Sequence, residues 1–208
     1  MKALIIAGGL LPPRALVKKL ALSSDVIVCA DGGTKGALRN GIEPDVVIGD
    51  LDSLPLELRT RLKRAKIISS TNQNQTDLEK ALLYLFRRKV KRITILGGTG
   101  KRIDQTVANI SLLQKYYRKT NLKLVDPTGL VEVVRSRAKF RARRGETISL
   151  LPVEKVARVT TKGLLYPLMN ENLEIGSRGV SNKSTGGTVE IHVRRGMLLL
   201  VRLFGRET

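Results

Sequence analysis

"VVIGDLDS", residues 46–53, decides the fold. Val46, Val47 and Ile48 form a short run of branched apolar residues, and Gly49 breaks it before two aspartates, Asp50 and Asp52. So short and continuous an apolar run suits a strand buried on both faces, as in a parallel sheet. The same pattern recurs outward from it. "ALIIAG" (3–8), "VIVCA" (26–30), "KIIS" (66–69), "ITILG" (93–97) and "LKLV" (122–125) read as further strands. Helical periods lie between them. Over 77–89, Leu78, Ala81, Leu82, Leu85 and Phe86 share one face, and "TDLE" predicts a capping box with Thr76 as N-cap and Glu79 three residues on. A second helix is predicted from about Asp104, with Val107, Ile110, Leu113 and Tyr117 facing inward. Repeated βα units predict a doubly wound, mostly parallel sheet with helices on both faces.

Beyond Asp126 the period changes. "TVEIHV" (188–193) alternates Val189, Ile191 and Val193 with polar residues, and "RSRAKFRAR", "TISLL", "ARVTT" and "MLLLVRLF" add strand candidates between Gly and Pro turns. This part reads as all-β, a small sandwich or barrel. Two domains follow, over 1–130 and 131–208.

Composition narrows the function. The 208 residues carry 38 basic and 18 acidic side chains, a net charge of +20, which suits a polyanionic partner or a phosphate-rich substrate. Four Tyr, three Phe and no Trp give no aromatic–basic platform for single strands, so nucleic acid is not the expected partner. Arg135, Arg137, Lys139, Arg141 and Arg143 alternate, and the plainer reading of that stripe is a solvated outer face. No apolar run approaches the ~20 residues of a membrane span. The first residues read as a strand rather than a signal peptide, and cytoplasm is the default location. A single Cys29, expected in the core, and a single His192, expected exposed, leave oxygen ligands and a hard cation for any metal.

Ligands of open parallel sheets bind beyond the carboxyl ends of the strands. Here those ends read "AGG", "ADGG", "GDLDS", "SSTNQNQTD", "GGTGKRIDQ" and "DPTG", which gathers Gly and Asp on one edge. Gly8, Gly9, Gly32, Gly33 and Gly98 permit close approach of anionic oxygens to backbone N–H groups. "GGTGKR" is neither a Walker loop nor G-x-G-x-x-G. Asp31, Asp50, Asp52 and Asp77 can converge on a shared cation, Mg²⁺ with a polyphosphate. The same residues have plainer readings: tight turns for the glycines, an Asx turn for Asp50 and Asp52, helix-dipole stabilisation for Asp77.

"ADGG", "PDVVIGDLDS", "NQNQTDLEKAL", "GGTGKRIDQTVANISLL", "GLLYPL" and "SRGVSNKSTG" together resemble the ordered motifs of the thiamine pyrophosphokinase family, over almost the whole chain. The resemblance implies an N-terminal α/β domain, a C-terminal β-sandwich for thiamine binding and dimerisation, and a homodimer with sites at the subunit interface. It implies Mg²⁺-dependent transfer of pyrophosphate from ATP to the thiamine hydroxyl, releasing AMP. Carried over by position, Asp31, Asp50, Asp52 and Asp77 fall on the acidic metal and catalytic positions, with Asp50, Asp52 and Asp77 expected as the metal ligands and Arg102 and Asp104 of "GRxD" also catalytic. Gly8, Gly9, Asp31, Gly32, Gly33, Gly98 and Lys101, at the Gly-rich strand ends, are expected on the ATP side. Gln73, Thr76, Ser181 and Asn182 fall on the thiamine side. Asp77 and Asp104 remain alternative proton acceptors. Three departures stand out: Lys101 replaces a glycine of "GGxGGRxD", Asn74 stands where relatives often have an acid, and "MLLLVRL" offers aliphatics where some relatives stack an aromatic. The apolar stretch Leu164, Leu165, Tyr166, Leu168 and Met169 is expected to be buried against a second copy. The alternatives are a related pyrophosphokinase acting on a hydroxymethylpterin and a basic nucleic-acid-binding protein.

Overall fold

The structure is a computed structural model that describes residues 1–49, 55–69 and 72–205. The chain forms two compact units, Met1–Pro127 and Thr128–Thr208.

In the first unit, β1 (Lys2–Ile6), β2 (Val26–Ala30), β3 (Val46–Gly49), β4 (Lys66–Ser69), β5 (Arg92–Leu96) and β6 (Asn121–Val125) alternate with helices. The helices are α1 (Arg14–Leu22), α2 (Gly33–Arg39), α3 (Leu56–Thr60), α4 (Asp77–Arg87) and α5 (Ile103–Tyr116). The strands are all parallel, in the order β6-β5-β1-β2-β3-β4. Central strands are buried on both faces, which is why their sequences are continuously apolar: Leu4, Ile5, Ile6, Ile93, Ile95, Leu96 and Leu124 are fully buried. Each such side chain contributes about 1.5–3 kcal/mol by burial. The chain winds one way from β1 to β4, then returns past β1 to β5 and β6. Right-handed crossovers therefore set α4 and α5 on the face opposite α1–α3, and the switch point falls between β1 and β5.

Two expectations need correction here. Thr76 does cap α4, its Oγ1 accepting from the Glu79 N–H at 3.3 Å. The Glu79 carboxylate, however, does not complete a capping box. It accepts from Tyr116 Oη at 2.5 Å and Lys115 Nζ at 2.8 Å, tying α4 to the end of α5. On α5 the buried positions are Asn109, Leu112 and Leu113, whereas Val107 is 59% exposed. Six residues separate Val107 from Leu113, which at 3.6 per turn puts them on different faces. Cys29 is a core residue, and burial pushes its thiol up to about 12.

The second unit is all-β among its described residues. One antiparallel layer runs β12 (Asn182–Lys183), β9 (Thr147–Pro152), β14 (Leu198–Leu203), β7 (Gly129–Val134); the other runs β11 (Met169–Leu173), β10 (Val156–Lys162), β13 (Gly187–Arg195), β8 (Arg137–Ala142). Ile148, Leu150, Leu198 and Leu200 of one layer and Val156, Val159, Val189 and Ile191 of the other share one core, which makes the unit a sandwich.

Candidate functional site

A cavity of about 220 Å³ opens at the carboxyl ends of β1, β2 and β5, at the switch point. Ala7, Gly8 and Gly9 line it from β1, Ala30, Asp31 and Gly32 from β2, and Gly97 to Lys101 from β5. The start of α4 adds Thr76, Asp77 and Leu78, and α5 adds Gln105 and Asn109.

The glycines of this edge divide into two kinds. A Cβ on Gly33 would stand 1.9 Å from Ile6 O, and one on Gly9 would stand 2.2 Å from Thr99 O. Both residues are glycine because backbones pack against them. Gly8 and Gly32 are different. Neither has a left-handed φ, and among the described residues a Cβ at Gly8 comes no nearer than 3.6 Å and at Gly32 no nearer than 3.8 Å. A methyl at either place would fill space that belongs to the cavity. Such a cradle of bare backbone suits a group that must approach closely.

Asp31 is half-buried with φ 32°, and its N–H donates to Ile48 O at 2.8 Å. The Asp77 carboxylate accepts from Lys80 Nζ at 2.9 Å. Lys101 adopts φ 59°, and its Nζ donates to Gly8 O at 2.7 Å, linking the β5–α5 turn to the β1–α1 turn. Buried Asn109 donates from Nδ2 to Gly98 O at 2.8 Å and fixes the same turn from α5.

Not every expected residue reaches the cavity. Arg102 and Asp104 form an exposed two-point pair, Nε to Oδ1 at 3.1 Å and Nη2 to Oδ2 at 2.5 Å, and do not line it. The Arg102 guanidinium holds the Asp104 carboxyl below its usual range, chiefly through these hydrogen bonds. Gln73 lies on the exposed loop before α4 and Gly33 lies behind the wall; neither lines the cavity. Asp50 and Asp52 lie outside the described residues. Among the described residues no three of His, Cys, Asp and Glu gather as a metal site. Gln105 and Asn109 are wall residues that sequence reasoning missed. Their four-residue spacing on one face of a predicted helix was the available signal.

The second unit contains Ser181 and Asn182. Ser181 is exposed with φ 61°, and its N–H donates to Ser149 Oγ at 2.9 Å. Asn182 is buried, and its amide is engaged with backbone. Oδ1 accepts from Tyr166 N–H at 3.1 Å and Lys183 N–H at 2.8 Å, while Nδ2 donates to Tyr166 O at 2.6 Å. The apolar stretch around it is split. Leu164 and Leu168 are buried in the unit's own core, which corrects the expectation of a wholly intermolecular cluster, while Leu165, Tyr166 and Met169 are exposed.

Residues 17–125 match the family described as "Thiamin pyrophosphokinase, catalytic domain", and residues 135–198 match "Thiamin pyrophosphokinase, vitamin B1 binding domain". A thiamine pyrophosphokinase of Bacillus subtilis is 30% identical over 211 residues, covering 95% of this chain and 96% of the relative. This chain belongs to the thiamin pyrophosphokinase family. Solved thiamin pyrophosphokinase structures share its fold along nearly the whole length. The one from Bacillus subtilis gives a TM-score of 0.87 at 27% identity, covering 98% of this chain and 99% of the other. The one from Geobacillus thermodenitrificans gives 0.87 at 26% identity, covering 100% and 99%. Membership in this family favours thiamin pyrophosphokinase activity over a pterin-directed enzyme, and over nucleic-acid binding as the chain's principal role.

Proposed function

We propose that this chain transfers pyrophosphate from ATP to the hydroxyl of thiamine, giving thiamine diphosphate and AMP. The observation that carries the reading is the cavity at the switch point, walled by the unfilled glycines Gly8 and Gly32 and lying within the stretch matched by the catalytic domain. In this reading the polyphosphate of ATP lies against Gly8, Gly32 and Gly98, with the Lys101 ammonium at the turn. Gly9 and Gly33 shape the wall from behind. Asp31 and Asp77 present carboxylates at the cavity, an oxygen donor set that fits Mg²⁺, and Asp50 and Asp52 are proposed as its further ligands. Bound there, Mg²⁺ would neutralise charge developing on the phosphate oxygens.

Asp77 is supported over Asp104 as acceptor of the thiamine hydroxyl proton. Asp77 lines the cavity, whereas Asp104 does not and is made a weaker base by Arg102. Arg102 is proposed to turn from Asp104 towards the phosphates when substrate binds. Gln73 and Thr76 are assigned to the acceptor side. Ser181 offers thiamine a free hydroxyl on the surface, and Asn182 holds the Tyr166 backbone beside it. We propose further that the protein acts in the cytoplasm as a homodimer with active sites at the subunit interface. Mixing an Asp52→Asn subunit with an Asn182→Ala subunit then raises turnover at low thiamine above that of either variant alone; failure to raise it removes the shared site.

The reading as a whole is tested by incubating purified protein with ATP and Mg²⁺ together with thiamine, a hydroxymethylpterin, or neither. AMP is expected with thiamine alone. AMP formed only with the pterin, or equally without an acceptor, overturns the reading.

A further inference from the structure

Pyrophosphate transfer as proposed gives the basic run of the second unit no part, yet the fold gathers Arg137, Lys139 and Arg141 of it on one surface. On β8 and β13, Arg137 stands opposite His192, Lys139 opposite Glu190 and Arg141 opposite Thr188. On β13 and β10, His192 stands opposite Thr160 and Glu190 opposite Lys162. Partners across an antiparallel pair share a face, and side chains along a strand alternate between faces. One face of β8-β13-β10 therefore carries Arg137, Lys139, Arg141, Lys162 and His192, with Arg194 continuing the β13 row. The other face carries Phe140, Val159, Val189, Ile191 and Val193, turned to the core.

The only acid in these rows is Glu190. Its carboxylate lies 2.7 Å from Lys139 Nζ and 3.8 Å from both Arg137 Nη2 and His192 Nε2. One half-buried carboxylate thus shares this face with five Arg and Lys side chains: Arg137, Lys139, Arg141, Lys162 and Arg194. Basic residues on an edge strand also serve to block edge-to-edge pairing, which accounts for β8. It does not account for Lys162 and Arg194, which sit on the inner strands β10 and β13.

We propose that this face is a second binding surface, one that docks the phosphate backbone of a nucleic-acid duplex without reading its sequence. Cations recur about every 6.8 Å along β8, at Arg137, Lys139 and Arg141, and Lys139 and Lys162 flank Glu190 from the strands on either side, about 9.6 Å apart, an array on the scale of a phosphate chain. The other outward positions in the paired rows are Thr160 and Thr188, so the rows offer no ring for an unpaired base, and exposed Met169, opposite Thr160 on β11, borders them as an apolar side chain too small to hold a bilayer. The net charge of +20 steers any polyanion towards the chain, and the face gives it a place to settle. This site is additional to the enzyme activity and independent of it.

The test uses the full chain and fluorescence anisotropy with labelled 20-base-pair DNA and RNA duplexes of two unrelated sequences, between 50 and 200 mM salt. The face variant is Arg141→Gln, Lys162→Gln, Arg194→Gln, which leaves the ion pairs of Glu190 with Lys139 and Arg137 in place. The control variant removes as much charge from exposed positions of the first unit: Lys18→Gln, Lys19→Gln, Lys91→Gln. Wild type is expected to bind both sequences equally, with Kd in the roughly 10⁻⁶–10⁻⁴ M range of non-specific binding. The face variant is expected to bind at least about tenfold more weakly, with a salt slope lower by about 2–3. The control stays within about twofold of wild type, and AMP formation is unchanged in both variants. Comparing the DNA and RNA arms identifies which duplex supplies the phosphates. Equal losses in the two variants, no binding at 50 mM salt, or capture by phosphatidylserine vesicles but by neither duplex overturns the proposal.

Discussion

The cavity edge of the first unit and the Tyr166–Asn182 corner of the second are built on opposite plans. At the cavity edge the backbone forms much of the wall, and side chains are missing where something must fit: Gly8 and Gly32 leave the room that a methyl would take. At the corner a buried side chain does the shaping. The Asn182 amide grips Tyr166 through its N–H and its C=O, which leaves the neighbouring Ser181 exposed. A motif residue can therefore serve function by absence, by bracing or by contact, and a string of letters does not distinguish these roles.

The largest expected effect breaks the comparison at Gly33. Gly33→Ala drives a methyl into Ile6 O and is expected to cost about 3 kcal/mol or more, whereas Gly32→Ala, one residue away, is expected to change stability by less than about 1 kcal/mol. Urea unfolding of the two variants measures the gap; similar midpoints would contradict the division of the glycines.

Next comes the corner. Asn182→Ala leaves the Tyr166 N–H and C=O without their partner and is expected to cost about 2 kcal/mol, with thiamine use falling as the corner loosens. Ser181→Ala is expected to keep the midpoint and raise only the KM for thiamine, by several-fold. If both variants change KM alone, Asn182 is a contact and not a brace.

The smallest effect concerns Glu79, between the two helices that flank the cavity. Burial pushes its carboxyl up, but hydrogen bonds from Lys115 and Tyr116 and the Lys115 charge outweigh this and hold it below its ordinary 4.5. A lowered folded value stabilises above the unfolded value and is lost as pH falls through the folded one. The stability advantage of wild type over Glu79→Gln is therefore expected to be full near pH 7 and to shrink below about pH 4.5. A difference that stays constant from pH 7 to pH 3.5, by denaturant midpoints, would show that the carboxylate charge plays no part.

Much of this was legible in the sequence. The parallel strands were, because burial on both faces leaves continuous apolar runs such as Leu4–Ile6 and Val46–Ile48. The Gly- and Asp-rich edge was legible because every strand of a parallel sheet ends on the same side. The split between Gly8 and Gly9 was not, since it depends on Gly97 and Thr99, some ninety residues away. Asn109 was missed because a polar letter on a helix predicts exposure, and only the fold supplies the Gly98 carbonyl that satisfies it. Val107 is apolar but exposed, because the face that packs is the one through Asn109 and Leu113, and an apolar letter alone does not select the face. Strands β7, β11 and β12 escaped notice because "GLVEVV", "MNENL" and "NK" carry too little alternation to stand out.

The central claim is that the cavity between Gly8, Gly32 and the β5–α5 turn receives the pyrophosphate donor. Calorimetric titration of ATP with Mg²⁺ into wild type and into the Gly8→Ala, Gly32→Ala double variant, without acceptor, tests it directly. The expected result is saturable binding by wild type and at least about tenfold weaker binding by the variant, at an unchanged Tm. Equal affinity in the two proteins would contradict it, because the nucleotide would then be bound somewhere those two methyls do not reach.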